Sequence, residues 1–174
     1  MPGNKIVYIV GFMGSGKSTA GRKLALSLGW QFIDLDKKIE ESAGKHIPDI
    51  FEQDGEGRFR EIESEVLKLT GSLTETIIST GGGTPCHGDN MDYMLSAGLT
   101  IYLKMTPEQL TKRLLDSSGE RPLIKNVPDD KLQTFIENML SAREKWYGRA
   151  NLIVDGVSID YTLLNNLVTG KFNH

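Results

Sequence analysis

Residues 11–18 have the types and the spacing of a loop that binds phosphate groups. They read Gly-Phe-Met-Gly-Ser-Gly-Lys-Ser and stand between an apolar, β-branched run and a helical pattern, which is the context that this motif requires. The glycines let backbone amides turn toward phosphate oxygens, and the amino end of the following helix attracts the same anion. Lys17 would neutralise the terminal phosphates, and the Ser18 hydroxyl would bind Mg²⁺. The segment therefore predicts a site for a nucleoside triphosphate.

Two carboxylates follow the second predicted strand, in the sequence Asp34-Leu35-Asp36. Phosphate loops of this kind occur in GTPases, ATP-driven machines and transferases. The residues that determine which acceptor is bound must therefore lie elsewhere in the chain. An extended backbone would turn both carboxylates to the same side. One could hold magnesium through water while the other orients an attacking hydroxyl or takes its proton. The alternative is an acidic helix start, with Asp36 as the N-cap.

Two arginines stand on predicted helices and could hold an anionic acceptor. Arg60 and Glu63 are three residues apart on a helix predicted over residues 56–69, so Glu63 can brace the guanidinium. Arg143, with Tyr147 four residues later, would supply a second cation. A surface ion pair and a surface helix charge are the alternatives. If both arginines face one site, it suits a carboxylate.

Glycines 81–83 and two further arginines complete the set of candidate residues. Three consecutive glycines after a strand allow a ligand to approach the backbone closely, although a plain flexible turn is the alternative. Arg121 lies in a polar segment, residues 116–127, that interrupts the helical pattern, and it could close over the phosphates or remain a solvated loop residue. Arg113 could stack on the nucleotide base.

The histidines and the single cysteine do not predict a metal site. His46, His87 and His174 do not pair with Cys86 at the spacing of zinc ligands. A single cysteine also excludes an internal disulfide, so the chain suits a reducing compartment. The tryptophans and methionines are best explained as packing residues.

Strand and helix patterns alternate along the chain, which predicts an α/β fold with a parallel sheet and helices on both faces. Ligands bind at the carboxyl ends of the strands in such a fold. The strands are predicted at residues 6–10, 31–34, 76–79, 99–103 and 152–154. The helices are predicted at residues 20–28, 56–69, 107–115, 129–146 and 159–167, and a helix at residues 37–43 belongs to the alternative in which Asp36 is an N-cap.

Length and composition predict a single globular domain spanning residues 1–174. The chain is 39% hydrophobic and 25% charged, with a net charge of −3. A domain of this size can bury its own core. The negative charge argues against a broad nucleic-acid surface, and no apolar run has the length of about 20 residues that a membrane-spanning helix needs.

These motifs, in this order and at these spacings, resemble those of the shikimate kinase family. They are the phosphate loop, Asp34-Leu35-Asp36, Phe59-Arg60-Glu61-Ile62-Glu63, Gly81-Gly82-Gly83, Arg121-Pro122-Leu123, and Arg143 with Tyr147. The match covers nearly the whole chain, and the arginine and glycine signatures are more selective than the phosphate loop. Residues 84–87, Thr-Pro-Cys-His, match no pattern of the family.

The resemblance implies a P-loop fold of the nucleoside-monophosphate-kinase type. It would have three layers, a five-stranded parallel sheet flanked by helices, a substrate-binding helical region at about residues 35–70 and a lid at about residues 116–127. The implied reaction transfers the γ-phosphate of ATP to the 3-hydroxyl of shikimate, giving shikimate 3-phosphate and ADP. In the family's usual setting this step belongs to the cytoplasmic pathway toward chorismate and the aromatic amino acids. We expect a cytoplasmic monomer whose partners are shikimate and ATP, with no nucleic acid and no membrane.

The resemblance also implies a role for each matched position. Lys17, Asp36 and Arg121 would be catalytic, with Asp36 as the base. ATP would be bound by Gly14, Ser15, Gly16, Lys17, Ser18, Thr19 and Arg121. Arg113 is also expected at the ATP site, because it could stack on the nucleotide base. The acceptor would be bound by Asp36, Arg60, Gly82 and Arg143, with Glu63 holding Arg60 in place. One Mg²⁺ per subunit would be bound by Ser18 and, through water, by Asp34.

Three alternatives differ in what they require of the acceptor site. A gluconate kinase also combines a phosphate loop with an acidic strand end, but two arginines for one carboxylate favour shikimate. A nucleoside monophosphate kinase would need to recognise a base and clamp a second phosphate. A non-catalytic nucleotide switch would need none of Asp36, Arg60 and Arg143, and it would hydrolyse ATP slowly whatever acceptor is added.

Overall fold

The computed structural model describes residues 3–117 and 123–173. Arg121 and the centre of the predicted lid lie outside the described residues. Within these two ranges, no helix is long and apolar enough to cross a membrane.

Strands and helices alternate as the sequence predicts. The strands are β1 Ile6–Val10, β2 Gln31–Asp34, β3 Thr76–Ser79, β4 Leu99–Lys104 and β5 Leu152–Asp155. The helices are α1 Lys17–Leu28, α2 Leu35–Ala43, α3 Ile47–Leu69, α4 Asn90–Ala97, α5 Pro107–Asp116, α6 Asp129–Tyr147 and α7 Tyr161–Phe172. Short 3₁₀ helices cover Thr70–Ser72 and Thr84–Cys86.

The five strands form one parallel sheet in the order β2-β3-β1-β4-β5. Strand β1 is central. Strands β2 and β3, which follow it in the chain, lie on one side of it, and strands β4 and β5 lie on the other side. In a parallel sheet with this change of direction, ligands bind beyond the carboxyl ends of the strands next to the change. The phosphate loop follows β1 at this edge, Asp34 ends β2, and the triple glycine follows β3.

Helices cover both faces of the sheet and give the molecule two apolar layers around it. Val7 and Ile9 pack with helices α1 and α7, while Ile6, Tyr8 and Val10 pack with helices on the opposite face. All five residues of β1 are at most 1% exposed. This explains why β1 is a continuous apolar run, since a strand covered on both faces has no solvent side.

Helix α3, helix α4 and the start of α2 differ from the predictions, and helix α7 spans Tyr161–Phe172 rather than residues 159–167. Helix α3 begins at Ile47, and the non-helical backbone of Gly55 (φ 84°, ψ 166°) divides it into two helical parts. The part after Gly55 matches the helix predicted at residues 56–69. Gly55 weakens the helical pattern at this point of the sequence. The first two turns of α3, which precede it, were therefore not predicted. Helix α4 was not predicted, because its eight residues are too short for a clear periodic pattern.

The third difference concerns Asp36, which was predicted to continue the extended backbone beyond Asp34. Asp34 ends β2 as predicted and is also the N-cap of α2, whereas Asp36 lies in the first turn of that helix. The prediction that Asp36 could be the N-cap is therefore wrong by two residues. The Asp34 carboxylate accepts hydrogen bonds from the amides of Asp36 (3.0 Å) and Lys37 (3.4 Å), which stabilises the helix start.

Candidate active site

The phosphate loop has the backbone conformation that its glycines predict. Gly16 is the N-cap of α1 and is left-handed, with φ 85° and ψ 24°, a conformation that a residue with a Cβ atom rarely adopts. A Cβ atom at Gly16 would also come within 2.9 Å of the Arg113 guanidinium. The structure therefore places Arg113 beside the loop, as expected for a residue of the nucleotide site.

Lys17 is buried in the cradle that the loop forms. Its ammonium group donates to the carbonyl oxygens of Gly11 (3.0 Å) and Phe12 (2.9 Å). The cradle has a volume of about 320 Å³. Of the predicted loop residues, Gly14, Gly16, Lys17, Ser18 and Thr19 line it. Ser15 is buried at the turn of the loop. The side chain of Lys17 thus fixes the loop and is also next to the space that phosphates would fill.

Oxygen atoms suitable for a magnesium ion lie together in this cradle. The Ser18 hydroxyl is 3.3 Å from an Asp34 carboxylate oxygen, to which it donates, and 2.9 Å from the Ser79 hydroxyl. No cluster of three or more His, Cys, Asp or Glu side chains that could hold a metal occurs in the described ranges. Mg²⁺ does not require one, because it prefers oxygen ligands and takes several of them from phosphate and water. The residues present therefore fit Mg²⁺.

Asp36 faces the same cradle from the first turn of α2 and Asp34 from the end of β2, so both carboxylates line it as predicted, although only Asp36 has a helical backbone. Burial raises the pKa of Asp36 to about 6, and the negative charge of Asp34 acts in the same direction. The positive charge of Lys17 opposes both effects. A carboxylate with such a pKa is a better proton acceptor near neutral pH than an ordinary aspartate.

A second cavity of about 400 Å³ adjoins the phosphate cradle. Arg60, Arg143 and the triple glycine contribute its polar lining, and Ile47, Pro48 and Phe51 from the first turns of α3 contribute apolar wall. This wall was not predicted, although the apolar residues Ile47, Ile50 and Phe51 have a helical spacing.

Arg60 is held in place by acidic neighbours and by an aromatic ring. Its guanidinium donates to Glu63 at 3.0 Å and to Glu56 at 3.4 Å, and it lies 5.0 Å from the centre of the Phe59 ring. Glu63 is only 1% exposed, so the brace predicted from the three-residue spacing is a buried contact. The Nε atom of Arg60 is buried with no hydrogen-bond partner in the described part of the chain. The guanidinium therefore has donor capacity beyond its two carboxylate contacts.

Arg143 reaches the same cavity from α6. Its guanidinium lies 5.5 Å from the centre of the Phe12 ring and 3.5 Å from the Tyr147 hydroxyl. That hydroxyl donates to the Gly82 carbonyl at 2.5 Å, a contact between α6 and the glycine segment that no local sequence pattern indicates. The two arginines thus share one cavity, which is the arrangement expected of a carboxylate site.

The triple glycine is packed against both arginines. A Cβ atom at Gly83 would lie 2.9 Å from the terminal nitrogens of Arg60, and one at Gly82 would lie 3.3 Å from Arg143 and 3.2 Å from the Met13 amide. Larger residues would displace the arginines. The glycines are therefore required for close packing in the site, and the plain flexible turn is the weaker explanation.

Comparison with known proteins gives a consistent result. A statistical model of the family described as shikimate kinase matches residues 13–162. Shikimate kinase from Parabacteroides distasonis is 42% identical over 151 residues, which cover 87% of this chain and 87% of that protein. Shikimate kinase from Bacteroides fragilis is also 42% identical, over 84% of this chain and 82% of the relative.

Solved structures agree with these sequence relatives. Shikimate kinase from Bacteroides thetaiotaomicron matches with a TM-score of 0.84 and 34% identity, over 95% of this chain and 94% of that one. Shikimate kinase from Acinetobacter baumannii, in complex with shikimate, matches with a TM-score of 0.85 and 30% identity, over 98% and 96%. A gluconokinase from Sinorhizobium meliloti has a TM-score of 0.57 at 16% identity and covers 99% of this chain and 92% of that one, so it shares the fold alone. By sequence and by structure, this chain belongs to the shikimate kinase family.

Proposed function

We propose that this protein is a shikimate kinase, which transfers the γ-phosphate of ATP to the 3-hydroxyl of shikimate. The products are shikimate 3-phosphate and ADP, on the pathway that leads through chorismate to the aromatic amino acids. Membership of the family supports this function, and the geometry of the two adjoining cavities indicates how the chain performs it.

One observation carries the proposal: the phosphate cradle and the arginine cavity share a border. Met13, Asp36, Gly81 and Gly82 line both spaces. A hydroxyl of an acceptor in the arginine cavity would therefore lie next to Asp36 and face the terminal phosphate across this border. Phosphoryl transfer depends mainly on such positioning and on electrostatic stabilisation, because the protein itself forms no bond to the phosphate.

The charges of the site suit the two substrates. Arg60 and Arg143 would bind the carboxylate of shikimate, since guanidinium groups match the planar geometry of a carboxylate. Lys17 and the loop amides would bind the phosphates of ATP, with Ser18 as a ligand of Mg²⁺ and Asp34 acting through water. The ion neutralises charge on the β- and γ-phosphates when it is bound. Arg121, outside the described residues, would close over the nucleotide as part of the lid.

Asp36 would accept the proton of the attacking hydroxyl or orient that hydroxyl for attack. We propose that the protein acts as a monomer. We infer a cytoplasmic location from the pathway.

The pH dependence of turnover tests the role of Asp36. Protonated Asp36 cannot accept a proton, so activity is lost as the pH falls through the raised pKa of about 6. We expect kcat/KM for shikimate, measured at saturating Mg²⁺ and ATP, to fall by up to about tenfold per pH unit on the acidic side and to level off above pH 7, with a midpoint that the charges of bound ATP and Mg²⁺ shift from the value of the ligand-free protein. A profile that is flat between pH 5 and pH 8 would contradict this role.

Removal of either arginine tests the assignment of the acceptor. Arg60→Ala and Arg143→Ala should each raise the KM for shikimate on the order of 10- to 100-fold, because each removes a charged hydrogen bond. The KM for ATP should change by less than about threefold, because neither arginine lines the phosphate cradle. Arg58→Ala is the matched control, since Arg58 forms the same three-residue pair with Glu61 but is exposed. An unchanged KM for shikimate in either variant would overturn that assignment.

The proposed function is tested by ADP production in a coupled assay with ATP and Mg²⁺. Shikimate, gluconate, AMP or no acceptor is added in parallel. Turnover that depends on shikimate supports the proposal. Turnover only with gluconate or AMP would show that the protein is a kinase with a different acceptor. ATP hydrolysis at the same rate with every acceptor and without one would indicate a nucleotide switch.

A further inference from the structure

A series of polar contacts connects Arg60 with the segment that follows the triple glycine. Arg60 donates to one oxygen of Glu63 at 3.0 Å, and the Thr84 hydroxyl donates to the other at 2.8 Å. The Asn90 amide donates to the Thr84 carbonyl at 2.9 Å, and Ser64 donates to the Asn90 amide oxygen at 2.8 Å. Thr84 begins the stretch of sequence that matches no pattern of the family.

The inner members of this series are hidden from water. Thr84 and Asn90 are fully buried, and Glu63 is 1% exposed. A buried carboxylate is tolerated only when its oxygens have hydrogen-bond partners or a counter-charge. Arg60 satisfies one oxygen of Glu63 and Thr84 satisfies the other. Without the Thr84 hydroxyl, Glu63 would have to turn, take a proton or admit water, and each of these changes alters its contact with Arg60.

Thr84 is itself fixed from two directions. Its amide donates to the Gly81 carbonyl at 3.2 Å, and its own carbonyl is held by Asn90. A Cβ atom at Gly81 would lie 3.0 Å from the Thr84 hydroxyl and 3.4 Å from the second oxygen of Glu63. The backbone of the glycine segment thus lies directly against the contact between these two side chains.

We propose that Thr84, supported by Asn90, is a positioning residue that holds Glu63 and thereby Arg60 in the orientation that binds the acceptor carboxylate. Thr84 touches neither substrate and does not act in the chemical step. The proposal rests on the proposed role of Arg60, and it gives a function to the segment of residues 84–90.

Steady-state kinetics of Thr84→Val test the proposal, because valine keeps the shape of threonine and removes its hydroxyl. We expect the KM for shikimate to rise roughly tenfold, with kcat and the KM for ATP within about twofold of wild type. Thr84→Ser should restore the wild-type KM. Thr100→Val is the matched control, since Thr100 is also buried and its hydroxyl is hydrogen-bonded, to Asn151; it should leave the KM for shikimate unchanged.

Two further measurements separate positioning from a structural role. With the neutral methyl ester of shikimate, Thr84→Val should perform like wild type, because Arg60 has no carboxylate to orient. In an Arg60→Ala background, Thr84→Val should not raise the KM for shikimate further. If Thr84→Val does not fold, Thr84→Ala replaces it, since the smaller side chain leaves room for a water molecule beside Glu63, and a rise in the KM for shikimate of at least about threefold is expected.

A KM for shikimate that stays within twofold of wild type in Thr84→Val would overturn the inference. A loss of kcat shared with Thr100→Val, or an equal penalty with the methyl ester, would also overturn it and indicate a structural role. These outcomes presuppose that the wild-type protein phosphorylates shikimate. If it does not, the proposed function fails together with this inference, whereas an active wild type with an unaffected Thr84→Val overturns this inference alone.

Discussion

Lys17→Met is expected to lower kcat on the order of 10²- to 10⁴-fold, the range observed when a charged or donor group that stabilises a transition state is removed. Lys17 lies in the phosphate cradle and is 9% exposed. In such a site water screens charge poorly, so the ammonium group has a large effect on charge that develops on the phosphate. Methionine keeps the unbranched stem but cannot donate a hydrogen bond.

The rate of Lys17→Met is measured by coupled ADP production with shikimate, and its fold is checked by circular dichroism, since Gly11 and Phe12 lose the donor to their carbonyl oxygens. Lys23→Met is the control. Lys23 lies on the same helix, α1, but is exposed beside the ring of Tyr161. A folded Lys17→Met protein that keeps more than about a tenth of wild-type kcat would contradict the assignment, because it would limit the electrostatic contribution to about 1.4 kcal/mol.

Asp36→Asn is expected to change activity and stability in opposite directions. The amide cannot accept the proton of the acceptor, so kcat should fall on the order of 10²- to 10⁴-fold. At neutral pH the variant should also be more stable than wild type. The folded state holds Asp36 in a buried place near Asp34, and this raises the pKa from 3.8 to about 6.

The sign of the stability effect follows from this raised pKa. Below pH 3.8 the carboxyl is protonated in both the folded and the unfolded state, and its ionisation carries no penalty. As the pH rises through 6 the folded state must ionise a group that the unfolded state ionises more easily, so stability is lost. Asparagine avoids this loss, and we expect a gain on the order of 1–3 kcal/mol at pH 7.5, which is several degrees in Tm.

Thermal unfolding at pH 7.5 and at pH 4 checks the second effect, and the gain should be much smaller at pH 4. Asp130→Asn serves as the control, since it removes the same charge from an exposed position at the start of α6. A variant that is less stable than wild type at pH 7.5 would contradict the account. A gain in stability together with a loss of activity would show that Asp36 is retained for function.

The features that the sequence predicted well are those set by neighbouring residues. The phosphate loop depends on residues 11–18 and on the strand and helix that flank it, and all of these are contiguous. The contact between Arg60 and Glu63 follows from their spacing on one helix. Asp34 and Asp36 were placed at the correct edge of the sheet although the backbone of Asp36 was predicted wrongly, because a strand end and the start of the next helix occupy the same place.

The features that the sequence did not predict depend on distant contacts or on weak local signals. The hydrogen bond from Tyr147 to Gly82 spans 65 residues, and the one from Thr84 to Glu63 spans 21. Nothing in the neighbouring residues indicates these partners. The first turns of α3 were not predicted, because Gly55 follows them. The apolar wall at Ile47, Pro48 and Phe51 belongs to these turns, so it was not predicted either.

Identification of the product by nuclear magnetic resonance tests the central claim most directly. The protein is incubated with ATP, Mg²⁺ and shikimate, and ³¹P and ¹H spectra show which ring position carries the new phosphate. The account predicts a single phosphorylated product in which phosphorus couples to the proton at carbon 3, formed at the same rate as ADP. ADP that forms without a phosphorylated shikimate, or a phosphate at another hydroxyl, would contradict it.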